Sequence, residues 1–244
     1  MKILALEFSS PQRSVAVVSC SRRDELHESQ SAPASGGIGT RVTRPSEVSV
    51  SEVVETSTTS TMKPLGMAEA ALKQAGLERE QIECLAIGLG PGSYTGIRVA
   101  IALAQGWQLA RDVKLLGISS AECVAAQAQA DGFTGRTCVV VDAQRGEFYA
   151  AGYAIGVGEC CEVFPLRLAT LAEVSERRIG GETLIGPEVT RWFPDGRVIF
   201  PRAATLGRLA LARGDFVPGE KLEPIYLREA RFVKAPPPRV FPAG

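Results

Sequence analysis

Short apolar runs separated by polar turns open the chain. KILALEFSS and SVAVVSC predict two strands joined by a turn at Ser9–Gln12, and the more polar DELHESQ, residues 24–30, predicts a third strand. Ser31–Thr61 contains many Ser, Thr, Gly and Pro residues and no aromatic residue, which is typical of a long mobile loop. Within it, Val48–Ser51 alternates apolar and polar residues, a pattern that would add a short edge strand.

Helix and strand patterns alternate along the remaining chain. The spacing predicts a helix over Leu65–Ala75 with Gly76 at its C-cap, the strand CLAIGLG, a helix over Tyr94–Arg111, the strand KLLGIS and the helix SAECVAAQAQA. Later segments predict a helix over Leu168–Arg177, strands at TLIG and RVIF, a helix at ATLGRLALARG and a proline-rich tail, APPPRVFPAG. This order of elements is typical of an α/β fold.

An internal repeat divides the chain into two halves. CVVVDAQRGEFYAAGYA has the pattern of ILALEFSSPQRSVAVV and aligns Asp142 with Glu7, each at the end of an apolar strand. The repeat predicts a duplicated α/β lobe with a cleft between the copies. The first lobe would cover residues 1–118, including the loop at about 31–61, and the second lobe residues 119–244, with the last helix and the tail.

Composition narrows the classes of function. Lys plus Arg and Asp plus Glu number 27 each, so overall charge does not favour a nucleic-acid binder. The first apolar run ends at Glu7, which is too early for a signal peptide or a membrane span, and we expect a cytoplasmic protein. None of the six cysteines has Cys-x-x-Cys spacing, so we expect reduced, mostly buried thiols.

The stretch IGLGPGSYTGIRVAIALAQG places glycines between a strand and a helix. Ser93 or Thr95 would cap that helix, whose N-terminal N–H groups favour an anion by roughly 0.3–1 kcal/mol. The spacing is neither a Walker loop nor a dinucleotide fingerprint. Both a phosphate contact and a plain tight turn therefore stay open. The helix is apolar almost all round, except for a strip formed by Arg98, Ala102, Gln105, Leu109 and Asp112.

Four stretches together resemble the TsaB (YeaZ) family of tRNA threonylcarbamoyladenosine biosynthesis. GLGPGSYTGIRVAIALAQG resembles the family's signature, and KILALEFSS its first strand and turn. VVVDAQRGEFYAAGY is similar to its second hairpin and EPIYLR, Glu223–Arg228, to its C-terminal motif. The resemblance covers nearly the whole chain. It implies a duplicated actin-like ATPase fold, related to ribonuclease H, with mixed central sheets flanked by helices.

The resemblance also implies a function as a subunit. Family members pair with a metal-bearing paralogue, TsaD, which transfers threonylcarbamoyl from an adenylate to the adenosine beside the tRNA anticodon. A TsaE-type ATPase joins the complex, and the same first-lobe helices form homodimers. The implied role is non-catalytic, with no required cofactor, weak ATP or ADP contact at the partner interface, tRNA contact only through the complex, and no membrane.

Two sets of site residues follow from these expectations. The candidates for weak nucleotide or phosphate contact are Glu7, Gly90, Gly92, Ser93 and Asp142. The candidates for the partner interface are Leu65, Ala68, Leu72, Tyr94, Ile97, Arg98, Ile101, Ala104 and Trp107. We expect a charge at Ala104 or Ile101 to abolish heterodimer formation and to leave a folded monomer.

The residue types argue against catalysis by the chain itself. Its single histidine, His27, cannot form the two-histidine metal site of the paralogue, and no His-Glu-x-x-His is present. The first hairpin contains Pro11, which has no N–H for a phosphate, and contains no glycine. Two alternatives stay open: a stand-alone actin-like phosphotransferase and an interaction module for a different partner.

One segment departs from the family pattern. Relatives run from the third strand almost directly into a helix that opens near Glu-His-Ser/Thr, whereas here Ser31–Thr61 intervenes and Glu55-Thr56-Ser57 is the nearest approach. The geometry of the first helix, which belongs to the implied partner surface, is therefore an open point of the sequence.

Overall fold

A computed structural model describes residues 1–21, 47–56 and 63–227 of the chain. The predicted tail and His27 lie outside these residues. The first half contains five strands and two helices: β1 Lys2–Glu7, β2 Gln12–Ser21, β3 Glu47–Thr56, α1 Pro64–Ala75, β4 Cys84–Gly88, α2 Tyr94–Ala110 and β5 Lys114–Ile118. The second half contains α3 Ser120–Ala130, β6 Gly135–Asp142, β7 Glu147–Ile155, β8 Cys160–Thr170, α4 Leu171–Ile179, β9 Thr183–Gly186, β10 Arg197–Val198 and α5 Ala203–Leu211.

The two sheets share one topology. The first has the strand order β3-β2-β1-β4-β5 and the second β10-β9-β6-β7-β8. In each half the first three strands pair antiparallel, and the later two continue the sheet in parallel. The predicted duplication and the mixed sheets are thus confirmed. Glu7 and Asp142 occupy equivalent positions at the ends of β1 and β6.

Strand β3 corrects part of the loop prediction. Residues 47–56 pair with β2 along its whole length, from Gln12 opposite Thr56 to Ser21 opposite Glu47. The alternation at Val48–Ser51 therefore marked a ten-residue strand, because four valines give this segment the β-branched content that suits a sheet. Helix α1 packs over β2 and β3. The predicted strand at residues 24–30 and the rest of the predicted loop lie outside the described residues.

Helix α5 links the two halves. It follows β10 of the second sheet but packs against β1 and β2 of the first, where Gly207 lies over Val18. Its first N–H groups donate to residues of the first half, Ala203 to Ser14 Oγ at 2.7 Å and Ala204 to Glu52 Oε1 at 3.0 Å. The first sheet is therefore covered by α1 and α2 on one face and by α5 on the other. The lobe limits at residues 118 and 119 stay a prediction.

The structure bears on three other expectations. The predicted helix over Leu168–Arg177 begins at Leu171, because β8 continues to Thr170, whose hydroxyl caps α4. All six thiols are free; Cys84, Cys123 and Cys138 are buried, and Cys161 is exposed. Among the described helices, none combines the length and apolar character needed to cross a membrane.

Candidate functional site

The glycine turn between β4 and α2 packs directly on the first hairpin. The Ser93 N–H donates to the Ser9 carbonyl at 2.7 Å, and the Ser93 hydroxyl accepts from the Gly96 N–H at 3.3 Å. A Cβ atom on Gly92 would lie 2.0 Å from the Ser9 oxygen, and one on Gly96 would lie 2.0 Å from the Phe8 oxygen. These glycines therefore let the turn and α2 approach the chain's own backbone.

Glu7 stands at the centre of this contact and is fully buried. Its Oε1 accepts from the Ser9 N–H at 2.8 Å, and its Oε2 accepts from the Ser120 hydroxyl at 2.9 Å. That hydroxyl in turn accepts from the Gly90 N–H at 3.1 Å. Burial raises the pKa of Glu7 above its ordinary value, while the hydrogen bonds from Ser9 and Ser120 act in the opposite direction.

These residues do not fit a nucleotide site. Glu7 has no exposed surface with which to hold hydrated magnesium, and the carbonyl oxygens of Phe8 and Ser9 occupy the space beside Gly96 and Gly92. A carbonyl oxygen repels a phosphate, and the N–H groups of Ser93 and Gly96 are already bonded to the Ser9 carbonyl and the Ser93 hydroxyl. The structure thus brings Glu7, Gly90, Gly92 and Ser93 together as a packing contact.

Asp142 belongs to the second hairpin and is engaged locally. Its Oδ1 accepts from the Gln144 N–H at 2.7 Å, and its Oδ2 from the Gln144 side-chain amide at 3.1 Å. In the described part of the chain, no group of three His, Cys, Asp or Glu side chains could hold a metal ion.

The expected interface residues divide into three groups. Leu65, Ala68, Leu72 and Trp107 line a groove between α1 and α2. Tyr94 and Arg98 are exposed at the N-terminal end of α2. Ile97, Ile101 and Ala104 are at most 6% exposed, because they pack into the core formed by α2, α1 and the first sheet. The chain itself covers these last three, as it nearly covers Ala68 and Leu72, and their contact with a partner stays a prediction.

The groove, here called the α1–α2 groove, has a volume of about 410 Å³. Its floor is mainly apolar, and two ion pairs stand at its rim: Arg111 with Glu80 at 2.9 Å, and Arg79 with Glu69. Leu65 beside it is 57% exposed, and Leu109 on the outer side of α2 is 90% exposed. An apolar groove with charged edges and exposed leucines is typical of a protein-binding surface.

One side of α2 is exposed and is here called the ridge of α2. It consists of Arg98, Ala102, Gly106, Leu109 and Ala110. Three residues of the strip predicted from the sequence, Arg98, Ala102 and Leu109, are thus exposed on this side of the helix. Gln105 differs, because its amide nitrogen donates to the Gly219 carbonyl at 2.8 Å and its side chain is half-buried.

Sequence reasoning missed how the C-terminal segment lies along α2. Gly219 also donates its N–H to Gln108 Oε1 at 2.8 Å, and Ile225 donates to the Leu89 carbonyl at 2.9 Å. Tyr226 then stacks on Tyr94. The motif EPIYLR was the only signal for this contact, and it gave no information about which helix the segment would meet.

Comparisons with known proteins agree with this architecture. Residues 55–214 match the family model described as TsaD, tRNA N6-adenosine threonylcarbamoyltransferase. The chain is 31% identical over 186 residues to the tRNA threonylcarbamoyladenosine biosynthesis protein TsaB of Escherichia coli, an alignment that covers 69% of this chain and 80% of the relative. It is 34% identical to the protein of the same name from Haemophilus influenzae, over 37% of this chain and 39% of that one.

Solved structures show the same fold. YeaZ from Pseudomonas aeruginosa superposes with a TM-score of 0.67 at 23% identity, covering 92% of this chain and 100% of that one. A second structure, of an uncharacterized protein with similarity to peptidase YEAZ from Pseudomonas aeruginosa, gives a TM-score of 0.70 at 23% identity and covers 93% and 99%. The expected duplicated actin-like fold, related to ribonuclease H, is therefore confirmed.

Proposed function

Because the chain belongs to the TsaB (YeaZ) family and is a TsaB-type subunit of tRNA threonylcarbamoyladenosine modification, we propose that it is the non-catalytic partner of a metal-bearing TsaD-type transferase. It would bind this paralogue through the α1–α2 groove and the ridge of α2. Bound in this way, it supports transfer of the threonylcarbamoyl group to the adenosine beside the anticodon. The cytoplasmic location expected from the sequence is part of the same proposal.

The observation that carries the proposal is the α1–α2 groove with its exposed leucines. Leu109 is 90% exposed and Leu65 is 57% exposed. A partner that covered their apolar surface would gain about 25 cal/mol of free energy per Å² buried. The charged rim adds specificity, because Arg111, Arg79 and their acids stand where the edge of an interface would lie.

Two features favour a TsaD-type protein as the occupant. The family model that matches residues 55–214 is that of TsaD itself, so the paralogue is expected to carry helices equivalent to α1 and α2. Small residues at Ala102 and Gly106 let the backbone of a facing helix come close to α2, since nothing lies within 4 Å of a Cβ atom on Gly106. A homodimer through this face and a TsaE-type ATPase on the assembled pair belong to the same proposal.

The non-catalytic role rests on the chemistry of the first hairpin. Glu7 is buried and hydrogen-bonded, and the glycine turn is filled by the carbonyl groups of Phe8 and Ser9. This leaves metal binding and group transfer to the paralogue. ATP turnover by the isolated chain, which a stand-alone phosphotransferase would show, is not expected.

The test compares Leu109→Glu with Val157→Glu. Both residues are at least 90% exposed, but Val157 lies in the β7–β8 turn of the second half. We expect Leu109→Glu to weaken heterodimer formation with the TsaD-type protein at least about tenfold, equivalent to about 1.4 kcal/mol. Val157→Glu should bind like wild type. Binding is measured by light scattering after gel filtration, and circular dichroism verifies that both variants are folded.

The functional readout is threonylcarbamoyl transfer to tRNA. The reconstituted system contains the synthase, the TsaD-type protein, the TsaE-type ATPase and each variant in turn. Transfer should fall with Leu109→Glu and should be restored when its concentration is raised. Unchanged complex formation with Leu109→Glu would contradict the proposed face, and transfer that does not depend on the chain at all would contradict the proposed function.

A further inference from the structure

Two motifs that the sequence singled out separately, SYTGIR and EPIYLR, meet at the N-terminal end of α2. The rings of Tyr94 and Tyr226 stack with their centroids 5.6 Å apart and their planes inclined by 27°. The guanidinium carbon of Arg98 lies 4.6 Å from the centroid of the Tyr94 ring. Tyr94, Arg98 and Tyr226 are here called the aromatic cluster. The residues stand 132 positions apart at their extremes, so only the fold brings them together.

The cluster is open to solvent. Tyr94 is 55% exposed and Tyr226 is 45% exposed, and Arg98 is exposed beside them. Exposed aromatic rings cost free energy in water, and stacking of one ring on the other recovers only part of it. Each ring therefore keeps surface for a further flat group.

The charge of Arg98 is also uncompensated. Across residues 1–21, 47–56 and 63–227, no carboxylate lies within ion-pair distance of Arg98, whereas Arg79 and Arg111 on the same side of the first half are each paired with a glutamate. Arg98 donates a hydrogen bond to the Tyr226 side chain, and the remaining N–H groups of its planar guanidinium can bind phosphate oxygens. The cluster thus offers a stacking surface and a phosphate-binding group within about one helical turn.

We propose that the aromatic cluster binds an unpaired nucleotide, with the base stacked on Tyr94 or Tyr226 and the phosphate held by Arg98. Aromatic side chains and arginine planes are the usual platforms for bases that are not in a double helix. The nucleotide comes either from a single-stranded part of an RNA or from a free nucleoside phosphate. A direct contact with RNA would replace the expectation, drawn from the neutral overall charge, that tRNA is reached only through the complex.

The aromatic cluster is separate from the α1–α2 groove and shares only Arg98 with the ridge of α2. Tyr94 precedes Trp107 by thirteen residues, which at about 1.5 Å per residue places the two about 20 Å apart along α2. A nucleotide on the cluster therefore leaves the α1–α2 groove free for the partner. The nucleotide proposal rests on the proposed function for its biological role, but it is tested on the isolated full chain and stands or falls without the TsaD-type partner.

The experiment measures binding of a fluorescent single-stranded RNA, an unlabelled RNA hairpin and ATP to the full chain. Arg98→Ala and Tyr226→Ala are compared with Arg79→Ala, which removes an exposed arginine from the groove rim. We expect each cluster variant to weaken RNA binding at least about fivefold, the lower end for loss of one stacked base. Arg98→Ala should also reduce the slope of log affinity against log salt by about 0.7. Arg79→Ala should bind like wild type.

The ligands distinguish the two sources of the nucleotide. Binding of single-stranded RNA with little effect of ATP as competitor assigns the cluster to RNA, and displacement by ATP at similar concentrations assigns it to free nucleotides. Thermal unfolding shows whether each variant is folded, and Tyr94→Phe, which keeps the ring, should retain binding. Wild-type protein that binds none of the ligands, or cluster variants that bind as wild type does, would overturn the proposal and leave the partner-binding face untouched.

Discussion

The Ser120 hydroxyl donates a hydrogen bond of 2.9 Å to Glu7 Oε2, which joins the end of β1 to the first turn of α3 inside the core. The equivalent acid of the second half, Asp142, instead binds the backbone and side chain of Gln144 near the surface. The duplicated fold therefore uses the same strand-end position in two ways. One acid is a buried packing group, and the other stabilises a hairpin turn.

Burial of Glu7 makes stability depend on pH. Burial holds the pKa of Glu7 above its ordinary value of 4.5 in the folded state. Below pH 4.5 both states bind the proton, so its full contribution to stability is present. As the pH rises, the unfolded state releases the proton first, and the free energy of unfolding falls until the pH passes the folded pKa.

We therefore expect Glu7→Gln, which mimics the neutral acid, to be more stable than wild type at pH 8 and to lose this advantage near pH 4. Between these limits the difference should change by up to about 1.4 kcal/mol per pH unit, the value for one proton. Urea unfolding across this pH range measures it. Glu176→Gln removes the same charge from the exposed side of α4 and serves as control. A difference that does not vary with pH would show that Glu7 has the same pKa in the folded and unfolded states, and a difference of opposite sign would show that its pKa is lowered.

The two glycines of α2 should respond in opposite directions to alanine. Gly96→Ala would place a Cβ atom 2.0 Å from the Phe8 oxygen, which belongs to the backbone and cannot move away cheaply. Overpacking of this kind costs about 1–3 kcal/mol or more. Gly106→Ala meets nothing within 4 Å and should gain about 0.5–1 kcal/mol from helix propensity. Urea midpoints measure both changes, and equal effects at the two positions would contradict the packing of α2 on the first hairpin.

Much of the fold could be predicted from the sequence because local patterns repeat in it. The aligned strands ending in Glu7 and Asp142 indicated the duplication, and Ser93 was one of the two residues predicted to cap α2. The loop prediction failed at β3, because composition over Ser31–Thr61 outweighed the short alternation at Val48–Ser51. A strand held by pairing with a long neighbour needs little local signal of its own.

The candidate site was harder to predict because it depends on which side of a helix the chain covers. Periodicity placed Leu109 on a strip apart from Ile101 and Ala104, but it could not tell which part of this largely apolar helix α1 and the first sheet would bury. The stacking of Tyr226 on Tyr94 depends on a contact between distant segments, for which the sequence has no periodic signal.

The link between β3 and α5 should be a measurable contribution to stability. Glu52 is only 10% exposed, accepts from the Arg202 guanidinium and also accepts from the Ala204 N–H at 3.0 Å. Glu52→Ala leaves a half-buried arginine and a helix N-terminal N–H without their acceptor, and we expect a loss of about 1–3 kcal/mol. Glu69→Ala breaks an exposed ion pair and should cost less than about 1 kcal/mol.

Thermal and urea unfolding of these two variants measure the comparison. Because α5 comes from the second half and β3 from the first, Glu52→Ala should also increase amide hydrogen exchange in α5 more than in α4. Equal stability of the two variants would show that the Glu52 contacts contribute no more than an exposed pair.

Two alanines of α2 give the sharpest test of which side of the helix meets a partner. Ala104 has no exposed surface and packs in the core, whereas Ala102 is exposed on the ridge. Ala104→Glu places a charge among apolar side chains, where an unpaired charge costs many kcal/mol, and we expect it to prevent folding. This replaces the sequence-based expectation of a folded monomer. Ala102→Glu carries the same new side chain into solvent and should fold with an unfolding midpoint close to that of wild type.

The two variants separate loss of folding from loss of binding. Circular dichroism and soluble yield should be normal for Ala102→Glu and lost for Ala104→Glu. Gel filtration with the TsaD-type protein should show that folded Ala102→Glu no longer forms the heterodimer, because a helix facing Gly106 would meet a buried, unpaired carboxylate. If Ala104→Glu folds, Ala104 does not pack in the core as described. If Ala102→Glu still binds, the ridge of α2 is not the surface that meets the partner.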